Sequence, residues 1–246
     1  MKIIINNKKI ERNRKIGSYT MLAGMVVLFG GLFISISQIA TGFQDPANPP
    51  PNAESMLNYA TIAMFFGLLL TEISMYFNNR WGRKPSIEEK VNLGLKGLDD
   101  RYTLYHHKGP VPSMLVGPAG IWVLLTMYHR GVVTFVRGRY QQSGVNWFTK
   151  FFYQEGIGRP ELIVENQLDD LRKFIDKNVV FVDKTPEVSA AIIFTAPNVT
   201  VQVDEDEAPH PTMHVDKLKD FIRRKAKEQQ LSTTTVKPLV DALPQE

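Results

Sequence analysis

Residues 98–133 read LDDRYTLYHHKGPVPSMLVGPAGIWVLLTMYHRGVV, and this stretch decides the fold. Four short apolar runs, at 102–107, 113–116, 121–127 and 132–136, are separated by Gly109-Pro110, Gly117-Pro118-Ala119-Gly120 and Arg130-Gly131. Runs of this length bounded by Gly and Pro are strands, and links too short to hold a crossover helix fold them back as antiparallel neighbours. An antiparallel meander is therefore expected here.

Helical periodicity flanks it on both sides. Upstream, Ser86-Ile87-Glu88-Glu89 has the Ser-x-x-Glu form of a capping box, and apolar residues follow at 87, 91, 95 and 98 before the Asp99-Asp100 turn. Downstream, a helix is expected over 160–178, with Pro160 in its first turn and Leu162, Leu168, Leu171 and Ile175 on one face. The unbroken apolar run 190–194 reads as a buried strand, and 200–203 as another running into the acidic tip Asp204-Glu205-Asp206-Glu207. Residues 216–230 form an amphipathic helix with Leu218, Phe221 and Ile222 inward, and 236–243 a short last one. The domain at 80–246 is thus α+β with a mixed sheet.

The amino-terminal third is built differently. From 16 to 40 the chain runs 25 residues without a charge, and a helix of that length exceeds a hydrocarbon core of about 30 Å. A second apolar run over 56–77 is interrupted by Glu72 alone. A secretory signal peptide fits the first run poorly, because its apolar stretch is too long and no small-x-small cleavage site follows. Residues 16–79 therefore read as a transmembrane helix hairpin. Lys8, Lys9, Arg12, Arg14 and Lys15 in the basic cytoplasmic arm 1–15 precede it, Arg80, Arg83 and Lys84 follow it, and the loop between the helices has no Lys or Arg. The positive-inside rule then places both termini in the cytoplasm of a plasma (inner) membrane protein with two spans. Tyr19, Tyr59, Tyr76 and Trp81 fall at the levels of aromatic belts, and Gly31 with Ser35 offers one small-xxx-small contact. Glu72, about two turns from Arg80, fits a side chain reaching toward the cytoplasmic interface better than a proton or ion site.

With 43% apolar and 22% charged residues the chain of 246 has a globular composition, and without cysteine it can build no disulfide, zinc ribbon, iron–sulfur cluster or thiol nucleophile. The net charge of +4 hides an uneven distribution: 80–159 carries 12 basic against 5 acidic residues, and 160–246 carries 11 against 16. Arg101, Lys108, Arg130, Arg137 and Arg139 in the basic half are candidate contacts for a phosphate backbone or equally for anionic lipid headgroups. Residues 145–153 place Trp147, Phe148, Phe151 and Phe152 on one face with Lys150 roughly opposite, which suits a helix resting at the membrane interface or a covered core segment. His106-His107 with His129, and His210 with His214, lack a convincing third ligand, and the chain has no phosphate loop, nucleophile elbow or zincin motif. No metal and no cofactor is expected.

The stretch 98–133, with the later AAIIFTAPNVTVQV and HVDKLKDFI, resembles the nuclease-related domain (NERD) family over about 86–243, most specifically at VGPAGIWVL followed by an Arg-Gly turn. The resemblance implies a restriction-endonuclease-like fold of the PD-(D/E)xK superfamily, in which an Asp and a following acid hold Mg²⁺ and a Lys two residues later orients the attacking water. Such chemistry needs hard oxygen ligands and a charged group near the scissile phosphate. Carried over position by position, the family's Asp falls on Pro112, the second acid on Leu125 and the Lys on Met127, while the acid of the first helix is kept as Glu88. No Asp, Glu or Lys occurs within 111–129, so an offset of one or two residues restores nothing. The expected function is that of a membrane-anchored, catalytically inactive pseudo-nuclease serving as a scaffold or binding protein. Its expected partners are membrane lipids and another protein, with nucleic acid held weakly if at all. The alternative is a membrane-bound, metal-dependent nuclease with a migrated site, for which Glu88, Asp99 and Asp100 are the only nearby acids.

Overall fold

Where no water is at hand, an uncharged run can satisfy its own peptide groups only as a helix. In the computed structural model, which describes residues 1–44, 51–147, 150, 156–181, 185–204, 206–229 and 231–245, the two apolar runs lie in α1 (Asn7–Gln44) and α2 (Ala53–Trp81). Both helices are long and apolar enough to cross a membrane. Their hydroxyls suit apolar surroundings because they bond back within the helix: Thr20 Oγ1 donates to Ile16 O at 2.8 Å and Thr71 Oγ1 to Gly67 O at 2.9 Å.

The two helices, which make up most of the unit Ile10–Lys84, meet along small residues spaced by seven. Gly17, Gly24 and Gly31 of α1 approach α2, whose buried residues are Ala60, Gly67 and Ser74. A Cβ on Gly24 would stand 3.2 Å from Gly67 O, and one on Gly31 would stand 2.9 Å from Ala60 O, so a side chain at either position would force the backbones apart. Ser74 Oγ donates to Gly17 O at 2.8 Å and closes one end of the seam. Gly31 of the expected Gly31–Ser35 pair is thus one point on a longer line that does not include Ser35, and its seven-residue period matches helices that wind around each other. Phe29, Phe33, Phe65 and Phe66 face outward and are exposed, as are Tyr19, Tyr59, Tyr76 and Glu72.

The second unit joins Met1–Lys9 to Pro85–Glu246. Its larger sheet contains the expected meander as β2 (Thr103–His106), β3 (Ser113–Gly117) and β4 (Gly120–Met127). Beyond β4 lie β7 (Val188–Phe194) and β9 (Thr212–His214), both parallel additions, and β1 (Lys2–Ile5) runs parallel to β2 on the other side. The order is β1-β2-β3-β4-β7-β9. The fourth run of the expected meander leaves this sheet: β5 (Gly131–Val136) pairs with β6 (Arg139–Ser143) and β8 (Val199–Gln202) in a second sheet of order β6-β5-β8. Gly131, at φ +83, turns the chain at that point, where a Cβ would strike Ser143 O. The basic arm is not wholly free either, because Lys2–Ile5 is an edge strand.

Side chains alternate across β4. Ile121, Val123, Leu125 and Met127 enter one core with α4 (Pro160–Asn178) and α6 (Thr233–Ala242), while Trp122 and Leu124 enter the other with α3 (Ile87–Gly94) and α5 (Val215–Gln229). Central β7 is apolar on both faces because helices cover both. On α4 the buried stripe is Val164, Leu168, Leu171 and Ile175, and Leu162 is 46% exposed instead of buried. At about 100° per residue, Leu162 sits far round the helix from Val164, and the 4-3-4 spacing from Val164 makes the continuous stripe.

Candidate functional site

Ser86 and Glu89 cap α3 reciprocally: Ser86 Oγ accepts from Glu89 N at 3.1 Å and Glu89 Oε2 accepts from Ser86 N at 2.8 Å. Fixing this first turn aims the neighbouring Glu88 into the domain, where it is buried. His107 Nε2 donates to Glu88 Oε1 at 2.9 Å, with the two side chains 3% and 5% exposed. His107 itself adopts a left-handed backbone, φ +56, as the chain turns out of β2. Its N–H donates to Pro112 O at 2.8 Å and its carbonyl accepts from Asn6 Nδ2 at 3.3 Å. Those bonds hold a conformation that a β-carbon disfavours.

One residue earlier, His106 is fully buried between two partners, with Nδ1 2.9 Å from Ser113 Oγ and Nε2 3.1 Å from Asn92 Oδ1. His106 and Ser113 face each other across the β2–β3 ladder, and Asn92 reaches in from α3. The row has the residue types of a nucleophile with its base, yet a ring with no exposed surface cannot meet a substrate. Lys90 Nζ donates to Thr195 O at 2.9 Å and stands 4.7 Å over the Tyr128 ring. Three polar side chains of α3 therefore converge on the carboxyl ends of β2, β4 and β7.

Pro112, Leu125 and Met127 contribute nothing to this network but a backbone oxygen. Leu125 and Met127 pack in the α4–α6 core, and Pro112 supplies its carbonyl to His107. Asp99 accepts from Arg101 Nε at 3.0 Å, and the guanidinium's bond holds its carboxyl below the usual carboxylate range and Arg101 above its ordinary value. Asp100 pairs with the Met1 ammonium at 2.8 Å. Among the described residues, no three of His, Asp and Glu are placed to hold a metal ion.

The histidines do not gather. His129 Nε2 donates to Gly156 O at 3.3 Å, His210 Nε2 lies 3.0 Å from Glu165 Oε1, and His214 Nε2 donates to Ala196 O at 3.2 Å. The basic candidates are likewise dispersed. Lys108 follows β2 and Arg130 follows β4, at the carboxyl end of these strands, while Arg101 precedes β2 at the opposite end. Arg137 and Arg139 are exposed together at the β5–β6 hairpin. Trp147 is 75% exposed, and Phe148, Phe151 and Phe152 lie outside the described residues.

A cleft of about 690 Å³ opens between β8, β9 and α5, with Val201, Met213 and Phe221 among its apolar lining and Lys217, Asp220 and Arg224 along the helix wall. Thr212 at its base donates to His210 O at 3.0 Å and accepts from Tyr140 OH at 2.7 Å, and burial pushes the Tyr140 phenol above its ordinary pKa. Sequence reading missed this cleft, and it missed Lys90, Asn92 and Ser113. The one available signal was the His106–Ser113 hairpin across Gly109-Pro110, whose two arms must place these residues opposite each other. No family model, curated protein or solved structure matches the chain.

Proposed function

We propose that the chain is a membrane-anchored, catalytically inactive NERD-like protein: a scaffold or binding module on a restriction-endonuclease-like fold, presented at the cytoplasmic face by two transmembrane helices. One observation carries the loss of catalysis. Leu125 and Met127, where the family has an acid and a Lys, are buried apolar side chains of the core. The mixed sheet with helices on both faces supports the fold assignment. A migrated metal site gains no support from the acids nearest to hand, since Glu88 is bonded to His107, Asp99 to Arg101 and Asp100 to Met1. The apolar exterior of the hairpin supports lipid as the first partner.

Removing the carboxylates that hold Mg²⁺ removes several kcal/mol of charge stabilisation at phosphorus, which at about 1.4 kcal/mol per tenfold is several orders of magnitude in rate. The purified protein should accordingly show no Mg²⁺- or Mn²⁺-dependent cleavage of single- or double-stranded DNA or RNA. Any nucleic-acid retention should fall steeply with salt and ignore sequence, because only backbone charge is met. Cleavage that disappears in Glu88→Gln at an unchanged melting midpoint would establish the migrated-site nuclease instead.

A further inference from the structure

We propose that the cleft between β8, β9 and α5 binds an extended, acidic peptide segment of a partner protein, which adds to the edge of β8 as an extra strand. The inference rests on the scaffold reading and names where its partner binds. β8 and β9 are each the last strand of their sheet, and residues of both line the same cleft. The register identifies which peptide groups are on offer. Gly131 N donates to Asn198 O, and Gly131 is paired with Val199, so Asn198, Thr200 and Gln202 bond to β5. In a parallel ladder the intervening residues face the other way, which leaves the N–H and C=O groups of Val199 and Val201 toward the free edge. By the same logic Ile192 N, donating to Pro211 O, turns Thr212 and His214 outward on β9. Among the described residues no backbone hydrogen bond is made at either outer edge.

An unpaired edge facing a helix wall is the setting for strand addition, in which backbone bonds give affinity and pockets for alternate side chains give specificity. The lining is mixed: half-buried Val199 and Val201 with Met213 and Phe221 supply apolar surface, and Thr200, Thr212 and His214 supply polar groups. The wall gives the sign of the charge. Lys217 is exposed and has no ion-pair or hydrogen-bond partner among the described residues, whereas Lys225 further along α5 is held by Glu228 and Arg223 by Gly97 O. Arg224 adds a second cation to the lining, against the single acid Asp220. An acidic residue of the incoming strand meets Lys217, and Asp220 opposes any acid placed at the middle of the groove. The outer edge of β6 is a poorer host, because Lys150 Nζ already donates to Gln142 O at 3.1 Å.

The test is a displayed library of random decapeptides panned against the full chain in lipid nanodiscs, with a counter-screen on Lys217→Glu, whose exposed position leaves folding intact as judged by an unchanged melting midpoint. Enrichment of acidic, β-prone sequences is expected. A synthetic copy of the leading peptide should bind about tenfold more weakly to Lys217→Glu, and about tenfold more weakly again when alternate amides are N-methylated, while Asp220→Asn binds it more tightly. Amide exchange should slow at 199–203 on binding. No enrichment, binding indifferent to both changes, or slowed exchange confined elsewhere would each overturn the proposal. The scaffold reading is judged separately on the same preparation: metal-dependent cleavage overturns it whether or not peptides are enriched.

Discussion

Glu88 can be read from sequence as a relic metal ligand, and its surroundings make it half of a buried pair with His107. Truncating one partner removes a hydrogen bond to a buried carboxylate, at a cost of about 1.5–3 kcal/mol. His107→Ala should therefore lower the melting midpoint of the detergent-solubilised protein sharply, and His107→Ala with Glu88→Ala should cost clearly less than the sum of the single changes. Additivity within about 0.5 kcal/mol would mean that the two side chains do not act as a pair. Tyr105 bears on the alkaline limb. Burial raises its phenol from 10.0 to about 12, so the neutral form is favoured in the fold. A raised folded value means that the contribution is fully present below pH 10 and is lost as pH rises through about 12, amounting to roughly 2–3 kcal/mol. Tyr105→Phe should flatten that part of the stability profile, and an unchanged alkaline limb would refute this role.

At the scale of elements, the hairpin seam and the second sheet depend on backbone space that side-chain pattern does not reveal. Gly24 and Gly30 look equivalent in sequence, yet a Cβ on Gly24 meets Thr71 and the Gly67 carbonyl, and one on Gly30 meets nothing within 4 Å. Gly24→Val should destabilise the helix hairpin by about 1–3 kcal/mol, the usual effect of overpacking, and Gly30→Val should leave it unchanged. The loss of helical circular dichroism on heating in detergent reads both, and equal effects would place the seam elsewhere. In the second sheet, Arg137 and Gly138 both have positive φ, +54 and +75, in a two-residue turn that closes the β5–β6 hairpin. Such a turn matches the twist of the strands it joins and makes a strand of the polar segment RYQQS.

At the scale of the whole molecule, the reading depends on which side of the membrane the domain occupies. Lys and Arg flank the hairpin at both ends and are missing from the loop between the helices, so both termini should be cytoplasmic. The chain has no native cysteine, and single cysteines at 48 and 240 therefore report cleanly. Labelling by an impermeant maleimide in intact cells is expected at 48 and not at 240, and the opposite pattern would place the domain outside and remove cytoplasmic partners from consideration.

The sequence by itself determined the features set by local periodicity and composition. The two long apolar helices, the capped helix at Ile87, the helix from Pro160 to Asn178, the three-stranded meander and the apolar run of β7 all follow from spacing, breakers and caps. The lack of Asp, Glu and Lys throughout 111–129 was also legible, because it is a matter of residue identity. Only the tertiary structure decided the rest. β1, β6 and β9 are too short or too polar to announce themselves, and each exists because a neighbouring strand offers its hydrogen bonds. The route of β5 into a second sheet, the pairing of Glu88 with His107 across 19 residues, and the cleft lined by the last strand of each sheet are long-range outcomes of packing. Periodicity records which face of an element is buried, whereas packing alone selects the partner that buries it.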